Sequence, residues 1–326
     1  MMKVVIADDF SPDGVAELKK VADVTYIPKA INKDFENEMA KVMPEILIVR
    51  SKKVTKEVVD ADPNLKGVIR AGAGFDTIDV AYCSSKGITV SNCPGKNNIA
   101  VAELTMGLII SLDRRIPENV HLLKQGKWNK AAYADCAGLY GRTLDLIGTG
   151  FVGGEVAKRA LAFGMKVIAY DIFISKEDMA KNNIEKVDSL EDLAKKADII
   201  SLHVPKVKET EGMINKKYMA QMKKDVLIVN TARGELVVEA DIIERLNAEK
   251  GFYYACDVIC NEPAFKAGDF KSALAMHPKV YATHHIGAST KQAEEAIGVE
   301  AVRMVNKYIK EKVMDNIVNK KDLKMA

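Results

Sequence analysis

A glycine-rich turn within residues 144–171 places the strongest constraint on how this chain folds. A short apolar run of strand length comes first, then Gly148-Thr-Gly150-Phe-Val-Gly153, then a helical stretch, and then a second apolar run that leads into Asp171. Strand, turn, helix and strand in this order form a βαβ unit with the spacing G-x-G-x-x-G. A glycine pattern alone is often only a tight turn. Here the flanking strand, the helix and the distal acid are all in place, which predicts a dinucleotide-binding site.

Each glycine of this turn has a structural role. Gly148 permits the sharp turn out of the strand, Gly150 lets a pyrophosphate approach the backbone, and Gly153 lets the helix pack close to the strand. The helix N-terminus offers N–H groups and a partial positive charge to phosphates. Asp171, 18 residues after Gly153, can accept both hydroxyls of a ribose and would repel a 2′-phosphate. Because no Arg or Lys follows Asp171 before Lys176, NAD is favoured over NADP.

The composition excludes several classes of protein. With 326 residues the chain can form two domains, and 48% hydrophobic and 29% charged residues are ordinary for a globular protein. A net charge of +3 gives no reason to expect nucleic acid as a partner. The five cysteines form no C-x-x-C pair and the five histidines lack metal-ligand spacing, so we expect reduced thiols, a cytoplasmic location and no metal. We see neither a leader-like segment nor an apolar run of about 18 residues, and therefore expect no membrane association.

Strands alternate with helical stretches along the chain, which predicts an α/β fold of parallel sheets covered by helices. The turn at Pro94-Gly95 predicts a domain boundary, and a helix over 290–310 can return the chain to the first domain. We therefore predict one domain from residues 1–96, completed by 290–326, and a second from residues 97–289. Residues 97–119 read as one long apolar helix, buried between domains or against a second subunit. The predicted strands are 3–7, 24–27, 46–49, 68–71, 88–90, 144–147, 166–170, 199–202, 226–229, 253–256 and 280–282.

Residues of unusual chemistry follow the predicted strands of the second domain. The carboxyl ends of parallel strands open on one edge of a doubly wound sheet, and ligands bind at that edge. We therefore expect a single site there, which would gather Gly148, Asp171, His203, Thr231, Arg233, Asp257, His284 and His285.

Arg233, Glu262 and His285 are the candidates for chemistry at this edge. A guanidinium after a buried strand can hold a carboxylate in a bidentate pair, although Arg233 could also be a surface arginine beside the following helix. A glutamate bonded to one ring nitrogen of His285 would fix its tautomer and stabilise its imidazolium. The other nitrogen could then exchange a proton with a carbonyl or hydroxyl oxygen. A lone histidine at a strand end is more often structural, and that is the role expected of His203.

These motifs together resemble the D-isomer-specific 2-hydroxyacid dehydrogenases, and most of all their 3-phosphoglycerate dehydrogenase branch. The resemblance extends over nearly the whole chain. It rests on Val49-Arg50-Ser51, Arg70 to Asp79, Asn98 to Glu103, the glycine turn, His203-Val-Pro, Asn230-Thr-Ala-Arg-Gly, Asp257 to Pro263, and His285-Ile-Gly-Ala-Ser-Thr290.

This resemblance implies a fold and an activity. The fold would be a Rossmann-type doubly wound parallel sheet plus a smaller flavodoxin-like α/β substrate domain, with a cleft between them. The activity would be NAD-dependent oxidation of a D-2-hydroxyacid, most directly of 3-phosphoglycerate to 3-phosphohydroxypyruvate in serine biosynthesis. We expect the short form of that branch, without a regulatory C-terminal domain.

The resemblance also implies a role for each matching residue. Arg233 would clamp the substrate carboxylate, and His285, oriented by Glu262, would be the acid–base group. The NAD contacts would come from Ala73, Gly148, Gly150, Phe151, Val152, Gly153, Asp171, Val204, Pro205, Thr231, Asp257, Gly287 and Ala288. The substrate contacts would come from Arg50, Gly72, Ala73, Gly74, Arg233 and His285.

Arg50 is our hypothesis for the group that binds the 3-phosphate, with Lys52 and Lys53 next to it in the sequence. The alternative is that these are solvated residues of a basic loop. Two departures from the family pattern affect other positions. His284-His285 stands where the family usually has Pro-His, and Asp145 replaces a commoner glycine before the turn.

Other functions stay open from the sequence. The chain could reduce glyoxylate, hydroxypyruvate or another 2-ketoacid, or it could be an NAD-sensing binding module like the corepressors that share this fold. A different adenine ligand, as in relatives of homocysteine hydrolase, is disfavoured by the Arg–Glu–His set. The resemblance also implies a homodimer through the nucleotide domain, which would use the long helix and the region of Trp128.

Overall fold

The computed structural model describes residues 1–263 and 267–323. The chain divides into two compact units, one formed by Met1–Asn97 with Ser289–Ala326 and the other by Asn98–Ala288. Within the described residues, none of the helices combines the length and the apolar content needed to span a bilayer.

The first unit is built on a five-stranded parallel sheet with the order β2-β1-β3-β4-β5. This order is the flavodoxin-like arrangement, which confirms the sheet type expected for this part of the chain. Strand β3 is buried at all four positions, as a strand covered on both faces should be. The elements of this unit are β1 (Lys3–Ile6), α1 (Pro12–Lys19), β2 (Asp23–Tyr26), α2 (Asn32–Val42), β3 (Ile46–Val49), α3 (Lys56–Asp60), β4 (Gly67–Arg70), α4 (Val80–Ser85), β5 (Thr89–Asn92) and the last helix, α12 (Lys291–Glu311).

The second unit is built on a seven-stranded parallel sheet with the order β12-β11-β10-β9-β6-β7-β8. Its strand order reverses between β6 and β9, and this switch point is where doubly wound sheets bind ligands. The Rossmann-type prediction is therefore confirmed. The elements are α5 (Asn98–Arg114), α6 (Ile116–Lys124), β6 (Thr143–Ile147), α7 (Phe151–Ala162), β7 (Lys166–Tyr170), α8 (Lys176–Ala180), β8 (Glu185–Lys186), α9 (Leu190–Lys196), β9 (Ile199–Leu202), α10 (Lys216–Met219), β10 (Leu227–Asn230), α11 (Glu239–Ala248), β11 (Tyr253–Cys256) and β12 (Val280–Ala282).

The prediction of one continuous helix over residues 97–119 was wrong. Helix α5 ends at Arg114, Arg115 adopts a left-handed backbone with φ of 47°, and α6 begins at Ile116. Pro117 explains the break, because proline has no N–H to bond the carbonyl four residues earlier and its ring would collide with that carbonyl, whereas it is tolerated in the first turn of α6. The apolar residues of α5 pack within the second unit, against α7 and strands β10 and β11.

Asp145 lies in the centre of β6 with its side chain fully buried. Neither carboxyl oxygen has a hydrogen-bond partner among the described residues. The neighbouring strands place Ile168 and Ile200 beside it. Burial in this apolar setting raises the pKa of the Asp145 carboxyl to about 8. The aspartate noted as a departure from the family pattern is therefore a carboxylic acid held neutral inside the core.

Candidate active site

The glycine turn between β6 and α7 has the geometry that its sequence predicts. Gly148 has a φ of 93°, a left-handed conformation that side chains rarely adopt. A Cβ atom on Gly153 would lie 2.2 Å from the carbonyl oxygen of Gly148, so the helix can approach the strand only because residue 153 is a glycine. A Cβ on Gly150, the residue before α7, would meet nothing within 4 Å. A pocket lined by Thr149, Gly150 and Phe151, among others, opens beside this turn. The space next to the free N–H groups of the helix fits a phosphate-bearing cofactor.

Asp171 lies at the end of β7, next to the turn. Its carboxylate accepts hydrogen bonds from the backbone N–H groups of Thr149 at 2.8 Å, Phe173 at 2.8 Å and Ile174 at 3.2 Å. Burial by itself would raise the pKa of the Asp171 carboxyl, but these hydrogen bonds outweigh it and the pKa is lowered. The group is therefore a fixed anion beside the turn, suited to accept ribose hydroxyls and unsuited to a 2′-phosphate.

Arg233 follows β10 in a turn that Asn230 shapes. The fully buried Asn230 side chain donates to the carbonyl of Arg233 at 2.8 Å and accepts from the backbone N–H of Ala232 at 3.1 Å. The next residue, Gly234, lies against the loop after β11, since a Cβ there would be 2.4 Å from the carbonyl carbon of Ile259. The loop that carries Arg233 is therefore packed against the loop that carries Glu262.

Glu262 and His285 are in direct contact. Nδ1 of His285 lies 2.6 Å from Oε2 of Glu262, while Oε1 of Glu262 accepts the backbone N–H of Ile259 at 3.0 Å. The His285 side chain is 51% exposed and that of Glu262 is 33% exposed. With Nδ1 facing the carboxylate, Nε2 is the nitrogen left to exchange a proton with a ligand. The contact also distinguishes between the two adjacent histidines, because it is the ring of His285 that meets Glu262.

Asp257 organises the loop that carries His285, a role that its position after β11 does not predict. Its buried carboxylate accepts from the backbone N–H groups of Ile286 at 2.9 Å and Gly287 at 2.7 Å, and from the Thr283 hydroxyl at 2.5 Å. The three donors bracket His285. His285 itself has a left-handed backbone with φ of 53°, a conformation that needs such support in a residue with a side chain.

The remaining second-unit candidates flank the glycine turn or the sheet edge. His203 and Val204 lie against Gly148, whose added Cβ would be 2.8 Å from the His203 carbonyl oxygen and 2.9 Å from a Val204 methyl. The His203 ring contacts the Ser201 hydroxyl at 2.9 Å, and burial lowers its pKa to about 3. His203 is thus a neutral residue supporting the turn. The Thr231 hydroxyl lies 2.8 Å from that of Thr105 in α5.

The candidates in the first unit lie at the ends of β3 and β4. Nη1 of Arg50 donates to Oε1 of Glu294 at 2.8 Å. Gly72 has a φ of 148°, and its N–H donates to the Arg70 carbonyl at 2.8 Å. The Ala73 carbonyl accepts from the Asn92 side chain at 2.6 Å. Because the Gly72 amide is already engaged, the expected grip on a substrate carboxylate rests on Ala73 and Gly74.

Comparison with known proteins agrees with this geometry. Residues 106–287 match the sequence model of the D-isomer specific 2-hydroxyacid dehydrogenase, NAD binding domain. The chain is 38% identical to a D-3-phosphoglycerate dehydrogenase of Methanocaldococcus jannaschii over 98% of this chain and 60% of that protein, so it spans less than two thirds of that relative. It is 41% identical to a hydroxypyruvate reductase of Thermotoga maritima over 94% of this chain and 98% of that one. A crystal structure of D-lactate dehydrogenase from Aquifex aeolicus with NAD and lactic acid superposes with a TM-score of 0.85 at 31% identity, covering 97% of this chain and 98% of the other. The chain belongs to the D-isomer specific 2-hydroxyacid dehydrogenase family and contains its NAD-binding domain.

Proposed function

We propose that this protein is an NAD-dependent dehydrogenase that interconverts a D-2-hydroxyacid and the corresponding 2-ketoacid. The contact between Glu262 and Nδ1 of His285 is the observation that carries the proposal. The chemistry that bound NAD would supply is hydride acceptance in the oxidation direction and, as NADH, hydride donation in the reduction direction. Gly148, Gly150, Gly153 and Asp171 would hold the pyrophosphate and the adenosine ribose.

The other steps belong to this chain's own side chains. His285 would take the proton from the C2 hydroxyl through Nε2 during oxidation and return it to the carbonyl oxygen during reduction. Glu262 would keep the ring in one tautomer and stabilise the imidazolium. Arg233 would hold the substrate carboxylate by a bidentate pair, and the Asp257 carboxylate, besides supporting the loop, would orient the carboxamide of the cofactor. Ala73 and Gly74 would add backbone contacts to the substrate.

Two substrates are candidates within this class. The first is 3-phosphoglycerate, which the name of the Methanocaldococcus relative supports, with Arg50 proposed to bind the phosphate. The second is an unphosphorylated ketoacid such as hydroxypyruvate or glyoxylate. The ion pair between Arg50 and Glu294 favours this second candidate, as does the name of the Thermotoga relative, which this chain covers almost completely.

The test is NADH oxidation with purified protein and a panel of 3-phosphohydroxypyruvate, hydroxypyruvate, glyoxylate, pyruvate and 2-ketoisocaproate. At least one should be reduced, and His285→Asn should lower kcat by about 10²- to 10⁴-fold, the usual contribution of a positioned acid–base group. His284→Gln is the matched control, because it alters the adjacent exposed ring, and it should change kcat by less than about threefold. If His284→Gln lost activity and His285→Asn did not, the proton-exchange role would be assigned to His284. If no ketoacid oxidised NADH, a binding module that senses NAD would be the better proposal.

We also propose that the protein is a cytoplasmic homodimer. In support of a reducing compartment, the five cysteines are all free thiols. In support of the dimer, the second unit exposes Val120 at 47%, Leu123 at 50% and Trp128 at 80%, an apolar surface that a second copy could cover. Light scattering that gave only the monomer mass would contradict the dimer.

A further inference from the structure

The ion pair between Arg50 and Glu294 joins two parts of the first unit that are distant in sequence. Arg50 directly follows β3, and Glu294 lies in the first turn of α12. Nη1 of Arg50 is 2.8 Å from Oε1 of Glu294, with the two side chains 24% and 43% exposed. The proposed phosphate-binding guanidinium therefore already faces a carboxylate of this same unit.

The backbone around Arg50 is held in one conformation. The Asp8 carboxylate accepts the N–H groups of Arg50 at 2.7 Å, Ser51 at 2.9 Å and Lys52 at 3.0 Å. Burial alone would raise the pKa of the Asp8 carboxyl, but these hydrogen bonds outweigh it and the pKa is lowered, so the acid stays ionised. Arg50 therefore leaves its strand in a fixed direction, toward Glu294.

Lys52 does not reinforce Arg50 as a phosphate ligand. Its ammonium group donates to the carbonyls of Ile27 at 3.1 Å and Pro28 at 2.9 Å, and it also contacts the carbonyl of Ala7. It lies 5.5 Å from the centre of the Phe35 ring. The ammonium group of Lys52 is therefore held within this unit by backbone carbonyls.

Glu294 is likewise positioned by its helix. The Thr290 hydroxyl caps α12 by accepting the Ala293 N–H at 3.2 Å, and the Thr290 carbonyl accepts the Glu294 N–H at 2.9 Å. A negative charge in the first turn of a helix is stabilised by the helix dipole. Glu294 thus presents a fixed anion to Arg50.

We infer that Glu294 determines substrate specificity by neutralising Arg50, so that the protein prefers a 2-ketoacid with an uncharged C3 substituent over its phosphorylated counterpart. This inference rests on the proposed function. The charges of Arg50 and Glu294 cancel, and a phosphate monoester carries about −1.5 to −2 charges at neutral pH. A phosphate at Arg50 would have to displace Glu294 or share the guanidinium with it, and both cost binding energy. An uncharged hydroxyl can hydrogen-bond to either side chain without this repulsion.

Hydroxypyruvate and 3-phosphohydroxypyruvate form a matched pair of substrates for the test, because they differ only in the phosphate. The measured quantity is kcat/KM for each with NADH. The unaltered protein should favour hydroxypyruvate. Glu294→Gln keeps the size and hydrogen-bonding oxygen of the side chain and removes its charge. This variant should shift the ratio of the two kcat/KM values toward the phosphorylated substrate by about tenfold, equivalent to about 1.4 kcal/mol.

Two further variants isolate the cause. Glu295→Gln removes the same formal charge from the next, exposed residue of α12 and should shift the ratio by less than about twofold. Adding Arg50→Ala to Glu294→Gln should abolish the gain, because the gain depends on the released guanidinium.

Each outcome decides the inference. If hydroxypyruvate is reduced but the ratio is the same in Glu294→Gln, Glu294 does not set specificity while the proposed reaction stands. An unaltered protein that prefers the phosphorylated substrate, or a gain that survives Arg50→Ala, would also overturn the inference. If neither compound oxidises NADH, the proposed reaction on these substrates and the inference fall together.

Discussion

Replacing Asp145 with asparagine should stabilise the protein at neutral pH and have a smaller effect in mild acid. The pKa of the Asp145 carboxyl is about 8 in the folded chain against an ordinary value of 3.8. Between these values the folded chain keeps the proton while the unfolded chain has lost it. The free energy of unfolding therefore falls as pH rises, by about 1.4 kcal/mol per pH unit. Below the ordinary pKa the carboxyl is protonated in both states, and above the raised pKa it is ionised in both states. Outside these two pKa values Asp145 therefore contributes no slope to the free energy of unfolding.

Asparagine has the size of aspartate but cannot ionise, so this slope is absent from the variant. The free energy of unfolding of Asp145→Asn minus that of the unaltered protein should grow by about 3 kcal/mol between pH 5 and pH 7. Urea unfolding followed by circular dichroism at pH 5, 6, 7 and 8 measures this difference, provided that the m-values agree.

Asp198→Asn is a control with the opposite sign. Burial alone would raise the pKa of the Asp198 carboxyl, but bonds from Lys223 and the Thr143 N–H outweigh it and the pKa is lowered. Its stabilisation is present above the ordinary pKa of 3.8 and is lost as pH falls below it, so this variant should be destabilised evenly from pH 5 to pH 8. A flat difference curve for Asp145→Asn over the same range would refute the reasoning, since the buried acid would then have to be ionised or hydrated.

Three further changes test the cofactor turn and the first unit. Gly153→Ala should destabilise the protein by about 1–3 kcal/mol and weaken NADH binding, because the added Cβ would lie 2.2 Å from a carbonyl oxygen. Gly154→Ala should be tolerated, because the atom nearest to its added Cβ is 3.7 Å away. Thermal melts and NADH fluorescence titration compare the two variants. Asp171→Asn should raise the Kd for NADH about tenfold or more and reduce the preference of the protein for NADH over NADPH. Equal changes in the Kd of both cofactors would contradict the assigned ribose contact. Asp8→Asn should cost about 2 kcal/mol at pH 7 and less as pH falls through the lowered pKa of the aspartate, measured by urea unfolding.

Local patterns in the sequence were sufficient for the framework of both units. Residues 46–49 are apolar at every position and residues 199–202 at every position except Ser201; both runs are bounded by polar residues and form strands at those positions. The G-x-G-x-x-G spacing predicts the positive φ of Gly148 and the close approach at Gly153, because only glycine satisfies both demands. The apolar pattern of residues 97–119 wrongly predicts one helix, because the pattern continues through Pro117 although the helix cannot.

Contacts between residues that are distant in sequence are the part of the site that local patterns do not predict. The pairing of Glu262 with His285 was expected from family motifs, and the structure brings the two side chains together. The pairing of Arg50 with Glu294 was not expected, because 244 residues separate them and no spacing rule connects a loop after one strand to a helix near the other end of the chain. The donors around Asp257 were missed for the same reason, since two of them are backbone N–H groups, which a sequence does not distinguish.

His285 occupies a region of backbone space in which asparagine is well tolerated and most other residues are strained. Few amino acids other than glycine can therefore replace it without deforming the loop, and asparagine, which fits well among residues with a side chain, cannot exchange a proton. A lineage that carried this one replacement would keep its cofactor turn and its fold and lose only turnover. The proposed dehydrogenase is thus a single inherited change away from a protein that binds its dinucleotide without turnover.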